Sequence, residues 1–181
     1  QSKAKCERCG AEYGELGDHI MDENTDTCII CETEIHEAFD SNGFCTNCGN
    51  GYEAARQVSS TYHSELNETH GGYYAIENAG QLYWFADYVN SGNNTVKAVL
   101  TTDIVVNEVL GDDARGWFPI GYYDYRSGEE IYYIGTFDGN NKTISGLYCN
   151  NEDETSVGLF GQIGSGAVVK NVGILESYFK G

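Results

Sequence analysis

Residues 135–149 read Gly-Thr-Phe-Asp-Gly-Asn-Asn-Lys-Thr-Ile-Ser-Gly-Leu-Tyr-Cys, and the way this stretch recurs decides the fold. Asp138-Gly139-Asn140-Asn141 is a strong turn signal, because Gly and Asn adopt the backbone angles that tight turns need. Strand-prone runs flank it, Ile131–Phe137 before and Thr143–Cys149 after. Ile144, Leu147 and Cys149 have the same spacing as Val169, Val172 and Ile174, shifted by 25 residues. A period of about 20 to 50 residues with one strand cluster per unit points to a solenoid whose stacked turns bury a shared core. Two short units leave an ordinary β-sandwich as the alternative. In this register Cys149 takes an inward position that Ile174 fills in the next unit, the place of a small buried hydrophobe.

Working outward, further short strands are expected at Val96–Leu100, Ile104–Val106, Val157–Phe160 and Val168–Ile174, after an opening strand at Tyr73–Ile76. One helix interrupts them. Asn78 can cap it, Gln81 stands three residues on as in a capping box, and Leu82, Phe85, Ala86 and Val89 form a single apolar stripe. Asn90-Ser91-Gly92-Asn93 stops it.

The 181 residues carry 28 acidic against 10 basic side chains, a formal charge of −18, and 23 Gly and 14 Tyr. So acidic a chain lacks the clustered Lys and Arg that phosphate binding needs, which argues against nucleic acid as a partner. No apolar run is long enough for membrane insertion, and no secretory signal pattern stands at the N-terminus. Three parts are expected: a Cys-rich zinc-ribbon-like segment over residues 1–50, a polar linker over 51–71, and a β-rich region over 72–181.

The β-rich region resembles the start of a GLUG-motif β-helix from large bacterial surface proteins. The matching words are Asn78-Ala79-Gly80-Gln81-Leu82 with Trp84-Phe85-Ala86 and Val89-Asn90, Leu100-Thr101-Thr102-Asp103-Ile104, and Trp117-Phe118-Pro119-Ile120-Gly121. They continue with Gly135-Thr136-Phe137-Asp138-Gly139-Asn140, Thr143-Ile144-Ser145-Gly146-Leu147, Gly158-Leu159-Phe160-Gly161 and Val169-Lys170-Asn171-Val172-Gly173-Ile174. The resemblance covers residues 73–181 and implies a right-handed parallel β-helix, mainly β, with an N-terminal capping helix. Relatives of this kind run through more GLUG units, so a longer polypeptide, or a partner covering the open end, is expected.

Six of the 7 cysteines lie before residue 50, as the pairs Cys6/Cys9, Cys28/Cys31 and Cys45/Cys48, each C-x2-C. Two sulfurs so spaced can share one tight turn and one ion, and two such knuckles complete a tetrahedron. His19 precedes Cys28, and His36 precedes Cys45, at the same interval, so an H-x8-C-x2-C unit occurs twice. Six thiolates and two imidazoles match two four-coordinate zinc ions with a structural role. The small segment has little core of its own and needs such a staple. Disulfides are the rival, since six clustered cysteines in a secreted protein often form a framework. Which ligands share an ion stays open. The segment also resembles Cys-rich repeats in surface proteins of Gram-positive gut bacteria. Asp22, Asn24 and Asp26 have the spacing of a calcium loop, but lack the Gly and Glu that complete one.

No catalytic signature stands out. His63, Glu65, Glu68 and His70 are rich in donors but lack the H-E-x-x-H order, and Asp103, Asp112, Asp113 and Asp124 fall where turns favour Asp. A non-enzymatic role is expected. Tyr122, Tyr123, Asp124, Tyr125 and Arg126, with Tyr132 and Tyr133, flank the acidic turn 127–130 and form a candidate ligand-binding insertion. Aromatic faces beside Asp and Arg suit sugars or protein surfaces, though packing against neighbouring strands explains alternating tyrosines equally simply. The combined expectation is an extracellular adhesion or presentation module of a bacterial surface protein, secreted or cell-surface, engaging a host or matrix protein or a glycan. The alternatives are an accessory region of a large surface enzyme, of IgA-type metallopeptidase or carbohydrate-active kind, and a subunit that associates with itself end to end.

Overall fold

The computed structural model describes residues 4–5, 12–13, 36, 38–124, 127–150 and 156–181. They fall into two compact units, Gln1–Glu53 and Ala54–Gly181. In the first, β1 (Ala4–Lys5) pairs antiparallel with β2 (Glu12–Tyr13). Residues 38–53 form a second, tighter fold described with the metal centre below.

The second unit runs β3 (Arg56–Gln57), α1 (Asn67–His70), β4 (Tyr74–Ile76), α2 (Ala79–Asn90), β5 (Lys97–Leu100) and β6 (Ile104–Val105). It continues through β7 (Tyr122–Asp124), β8 (Glu129–Ile131), β9 (Thr136–Ser145), β10 (Tyr148–Asn150), β11 (Val168–Leu175) and β12 (Tyr178–Lys180). Six of these strands make one sheet in the order β11-β9-β5-β4-β3, with β6 also on β9. All its pairings are parallel except β3 with β4. A parallel β10–β12 pair and an antiparallel β7–β8 hairpin stand apart from it.

The expected right-handed parallel β-helix is therefore corrected. The strands lie in separate, mixed, open sheets, and none closes or repeats as a solenoid. A solenoid needs a constant period, but the ladder joins residues at uneven separations: Tyr74 to Ala98, Lys97 to Thr136, Thr136 to Val168. The β7–β8 hairpin is inserted between two neighbouring strands, and an antiparallel strand ends the sheet. The 25-residue repeat is corrected with it. Ile144 pairs with Ile174 rather than corresponding to Val169, and Cys149 pairs with Phe179. Cys149 is buried as expected, whereas Val169 and Ile174 are exposed.

The helix follows its signals. Asn78 accepts a hydrogen bond from the Gln81 amide at 2.8 Å, and the Gln81 side chain accepts one from the Glu77 amide at 2.8 Å. These bonds satisfy donors left open at a helix start. Leu82, Phe85, Ala86 and Val89 are all buried. Phe85 meets Phe137 and Tyr133 edge-on or tilted, and Tyr133 stacks on Phe160 with centroids 5.4 Å apart. Ile76, Leu100, Ile104, Ile120, Ile144 and Leu147 complete the buried layer. Asn90 then fastens residues 119–121 to the helix end, donating to the Pro119 carbonyl and accepting from the Gly121 amide.

The Asp138–Asn141 signal marks a bend rather than a break. Asn140 and Asn141 take φ of 50° and 60° inside β9, and Asn171 takes 55° at the matching place in β11. Gly139 sits under the Asn171 carbonyl and Val172, where any side chain would collide. The expected strand at Ile131–Phe137 is divided between the end of β8 and the start of β9, and Val157–Phe160 contributes a single bridge at Phe160. Residues 54–71, read from sequence as the bulk of a polar linker, belong to the second unit. β3 extends the sheet there, and buried Val58 packs with Ala75 and Val99.

Candidate metal centre

Residues 38–53 build a pair of arms around a tight turn. Asp40 accepts from the amides of Asn42 at 2.8 Å and Phe44 at 3.0 Å, which closes the first reversal with Gly43 at φ 78°. Bridges Phe39–Cys45 and Phe44–Tyr52 set the arms side by side. The Cys45 amide donates to the Gly51 carbonyl and the Gly49 amide to the Cys45 carbonyl, so Cys45-Thr46-Asn47-Cys48 is a single loop. Gly49, at φ 72°, lets the chain turn out of it.

This loop brings His36, Cys45 and Cys48 together, with one donor atom from each within 4.8 Å of the others. The His36 Nδ1 to Cys48 Sγ distance is 3.6 Å. That is long for a hydrogen bond between small atoms, but it suits two corners of a coordination tetrahedron. With metal–sulfur and metal–nitrogen bonds of about 2.3 and 2.0 Å, the corner-to-corner separation is about 3.5 Å, close to that distance. The Asn50 amide donates to the Cys48 sulfur at 3.4 Å and holds that ligand in place. The group can hold a metal ion. It is the second of the two H-x8-C-x2-C units. Cys6, Cys9, His19, Cys28 and Cys31, as well as the Asp22–Asp26 run, lie outside the described residues.

The tyrosine insertion divides. Tyr133 is fully buried in the core, with its hydroxyl donating to the Val96 carbonyl at 3.0 Å, so it is corrected from ligand candidate to core residue. Burial pushes the pKa of its hydroxyl well above the ordinary tyrosine value, so it stays protonated. Tyr122 is half-buried against Phe118. Tyr123 and Tyr132 are exposed, and Tyr132 donates to Glu130 at 3.0 Å. Asp124 accepts from Ser127 at 2.8 Å and shapes the hairpin turn. Tyr125 and Arg126 lie outside the described residues. Tyr132 lines an open depression of about 530 Å³ with Asn94, Ile134, Ile163, Gly164 and Ser165.

Two polar clusters escaped the sequence reading. Asp138 is buried, yet it accepts from the Asn140 amide at 2.9 Å, Asn171 at 3.0 Å and Lys170 at 3.0 Å, and His70 Nε2 lies 3.1 Å away. Burial opposes its charge, but these donors outweigh it and hold the carboxyl well below the ordinary carboxylate range. The carboxylate thus ties α1, β9 and β11 together. His63 lies between Glu65 at 2.8 Å and Glu77 at 2.7 Å, and Tyr62 donates to the same Glu77. The Glu65 hydrogen bond, aided by Glu77 against the opposing effect of burial, raises the imidazole above its usual value. Asp103 accepts from both the amide and the hydroxyl of Thr143, a turn-holding role.

No family model matches the sequence, and no solved structure matches the fold. A protein of Evansella cellulosilytica named "Putative Gly-rich membrane protein" is 29% identical over 127 residues, which cover 70% of this chain and 14% of the relative. Among the described residues no helix is long and apolar enough to cross a membrane.

Proposed function

We propose that this chain is a non-catalytic extracellular binding or presentation module of a larger bacterial envelope protein, stapled in its N-terminal unit by structural zinc. The observation that carries the reading is the convergence of His36, Cys45 and Cys48 on one loop. Two sulfurs and one imidazole match the preferences of zinc, which takes tetrahedral N/S sets in closed structural sites. Burial of Cys45 favours a closed site over an open catalytic one. The segment that bears it is too small to fold on apolar burial alone. The resemblance of residues 73–181 to GLUG-motif surface proteins supports an extracellular placement, and the name of the Evansella cellulosilytica protein agrees with an envelope location. Exposed Tyr132, which lines the open depression, and exposed Tyr123 on the β7–β8 hairpin supply aromatic faces of the kind that take up a glycan or a host or matrix protein.

Elemental analysis of the purified chain tests the staple. Close to two zinc ions per chain are expected, and His36→Ala or Cys48→Ser should each remove about one. Chelation should unfold the first unit and leave the second intact. A metal-free protein whose six clustered cysteines resist thiol reagents until reduced would replace zinc by disulfides. Binding on a glycan and matrix-protein array that is unchanged by Tyr123→Ala and Tyr132→Ala would remove the adhesive part of the reading.

A further inference from the structure

Three pairs in this chain place a side-chain carbonyl carbon next to a glycine nitrogen: Asn42-Gly43, Asn50-Gly51 and Asp138-Gly139. Such a pair can close a five-membered ring on itself, because glycine adds no side chain to hinder its own nitrogen. Ring closure depends on what holds the two groups, and the three pairs differ. The Gly43 amide donates to the Asp40 carbonyl at 3.0 Å, and the Asn42 amide donates to the Asp40 carboxylate at 2.8 Å. That glycine nitrogen is engaged in a fixed turn. Asp138 is buried, and its oxygens accept from Asn140, Asn171 and Lys170. An ionised carboxylate so held is a poor electrophile and has no amine to lose.

Asn50-Gly51 has neither restraint. Among the described residues the Asn50 side chain has no hydrogen-bond partner, and the Gly51 N–H donates to nothing. Gly51 is a buried residue, and buried N–H groups are normally paired. Its nitrogen thus lacks the hydrogen bond that holds Gly43. Asn50 is exposed, so water and hydroxide reach its amide. We propose that Asn50 is a site of spontaneous deamidation and isoaspartate formation, a covalent change that loosens the metal centre.

The Gly51 nitrogen, having given its proton to hydroxide, attacks Cγ of Asn50. The N–Cγ bond forms, the Cγ–Nδ2 bond breaks, and the side-chain nitrogen leaves as ammonia with a proton from water. The product is a succinimide, and water then adds to one of its two ring carbonyls. Opening on the side-chain side gives aspartate at position 50. Opening on the main-chain side leaves the chain running through Cβ and Cγ as isoaspartate. The net change is water in and ammonia out, with no oxidant required.

The consequence follows from where this linkage stands. The Asn50 amide donates to the Cys48 sulfur at 3.4 Å, while Gly51 lies against the His36 ring and accepts from the Cys45 amide at 2.8 Å. All three candidate ligands are therefore held from one side or the other of the Asn50–Gly51 bond. Isoaspartate lengthens the backbone there by a carbon, so both sets of contacts cannot be kept. This second part rests on the reading of His36, Cys45 and Cys48 as a metal centre, whereas the ring closure does not.

Storage of the full chain with zinc at mildly alkaline pH tests both parts. Tandem mass spectrometry with isoaspartyl methyltransferase labelling should find isoaspartate at position 50 building up several-fold faster than at 42. In denaturant, where neither glycine nitrogen is held, the two rates should converge. Asn50→Gln, whose extra methylene disfavours the five-membered ring, should stay unlabelled at 50. Competition with a chromophoric chelator should show the isoaspartyl fraction binding zinc about tenfold or more weaker than fresh protein. Equal rates at 42 and 50 in the folded chain, or no isoaspartate at 50, would overturn the proposal. An isoaspartyl fraction with unchanged zinc affinity would overturn it as well. A fresh chain that binds no zinc would instead remove the metal centre and the loosening with it, and the labelling alone would then decide the ring closure.

Discussion

Gly51 lies directly beneath the imidazole of His36, so close that a β-carbon at position 51 would collide with the ring. The same residue's carbonyl accepts from the Cys45 amide, so one glycine sets both the ring and the cysteine loop. Gly51→Ala should therefore push His36 off its position while leaving all three donors present. A loss of about 10- to 100-fold in metal affinity is expected, as for other residues that orient a ligand. Competition with a chromophoric chelator measures it, and an unchanged affinity would remove His36 from the site.

Asp138 should be the most costly polar residue of the second unit to neutralise. Asp138→Asn keeps the shape but removes the charge that holds Lys170 and His70, at a cost of about 2–3 kcal/mol, discounted for the exposure of Lys170. The carboxyl is held below its ordinary value of 3.8. Its stabilisation is therefore complete above that value and is lost as pH falls below it. Denaturant unfolding from neutral to acid pH should show a fall in stability that the Asn variant has largely lost.

His63 has the opposite sign. Its imidazole is raised above 6.5 by Glu65 and Glu77. Its contribution is present in full below that value and fades as pH rises through the higher folded-state value. Glu77→Gln should lower the His63 titration midpoint, read by proton NMR. A midpoint that does not move would show that the Glu77 contact is not made in solution.

Tyr132 and Tyr133 are neighbours with opposite fates, since alternate residues of an extended segment point to opposite sides. Tyr133→Ala removes a fully buried ring and should cost about 3–5 kcal/mol. Tyr132→Ala removes an exposed one and should leave thermal stability nearly unchanged. Similar losses in both would contradict the alternation.

The helix was legible because every local signal agreed: a capping Asn, a Gln three residues on, and an apolar stripe that is wholly buried. The second H-x8-C-x2-C unit was legible because its donors lie close in sequence, and one loop gathers them. What the sequence hid depends on distant partners. Asp138 meets His70 from 68 positions away, and nothing local distinguishes it from any turn aspartate. The repeat misled for a related reason. Apolar spacing alone aligned Ile144 with Val169, whereas the left-handed asparagines in β9 and β11 put Ile144 against Ile174. Uneven pairing intervals likewise turned an expected solenoid into an open mixed sheet. The polar composition of residues 54–71 hid a sheet edge, because a two-residue strand and one buried valine leave little hydrophobic trace.

The β7–β8 hairpin turns at exposed Ser127 and Gly128, and the main sheet is assembled across it, with β9 from the later part of the chain held between β5 and β11. Opening the backbone at that turn would divide the second unit into two fragments that share one sheet, joined by the β5–β9 and β6–β9 ladders and by the Tyr133 hydroxyl on the Val96 carbonyl. Such tips tolerate nicking and insertion because little buried structure passes through them. The hairpin is thus a natural cut point for making the protein as two complementary pieces that find one another, and for carrying a foreign sequence without disturbing the core.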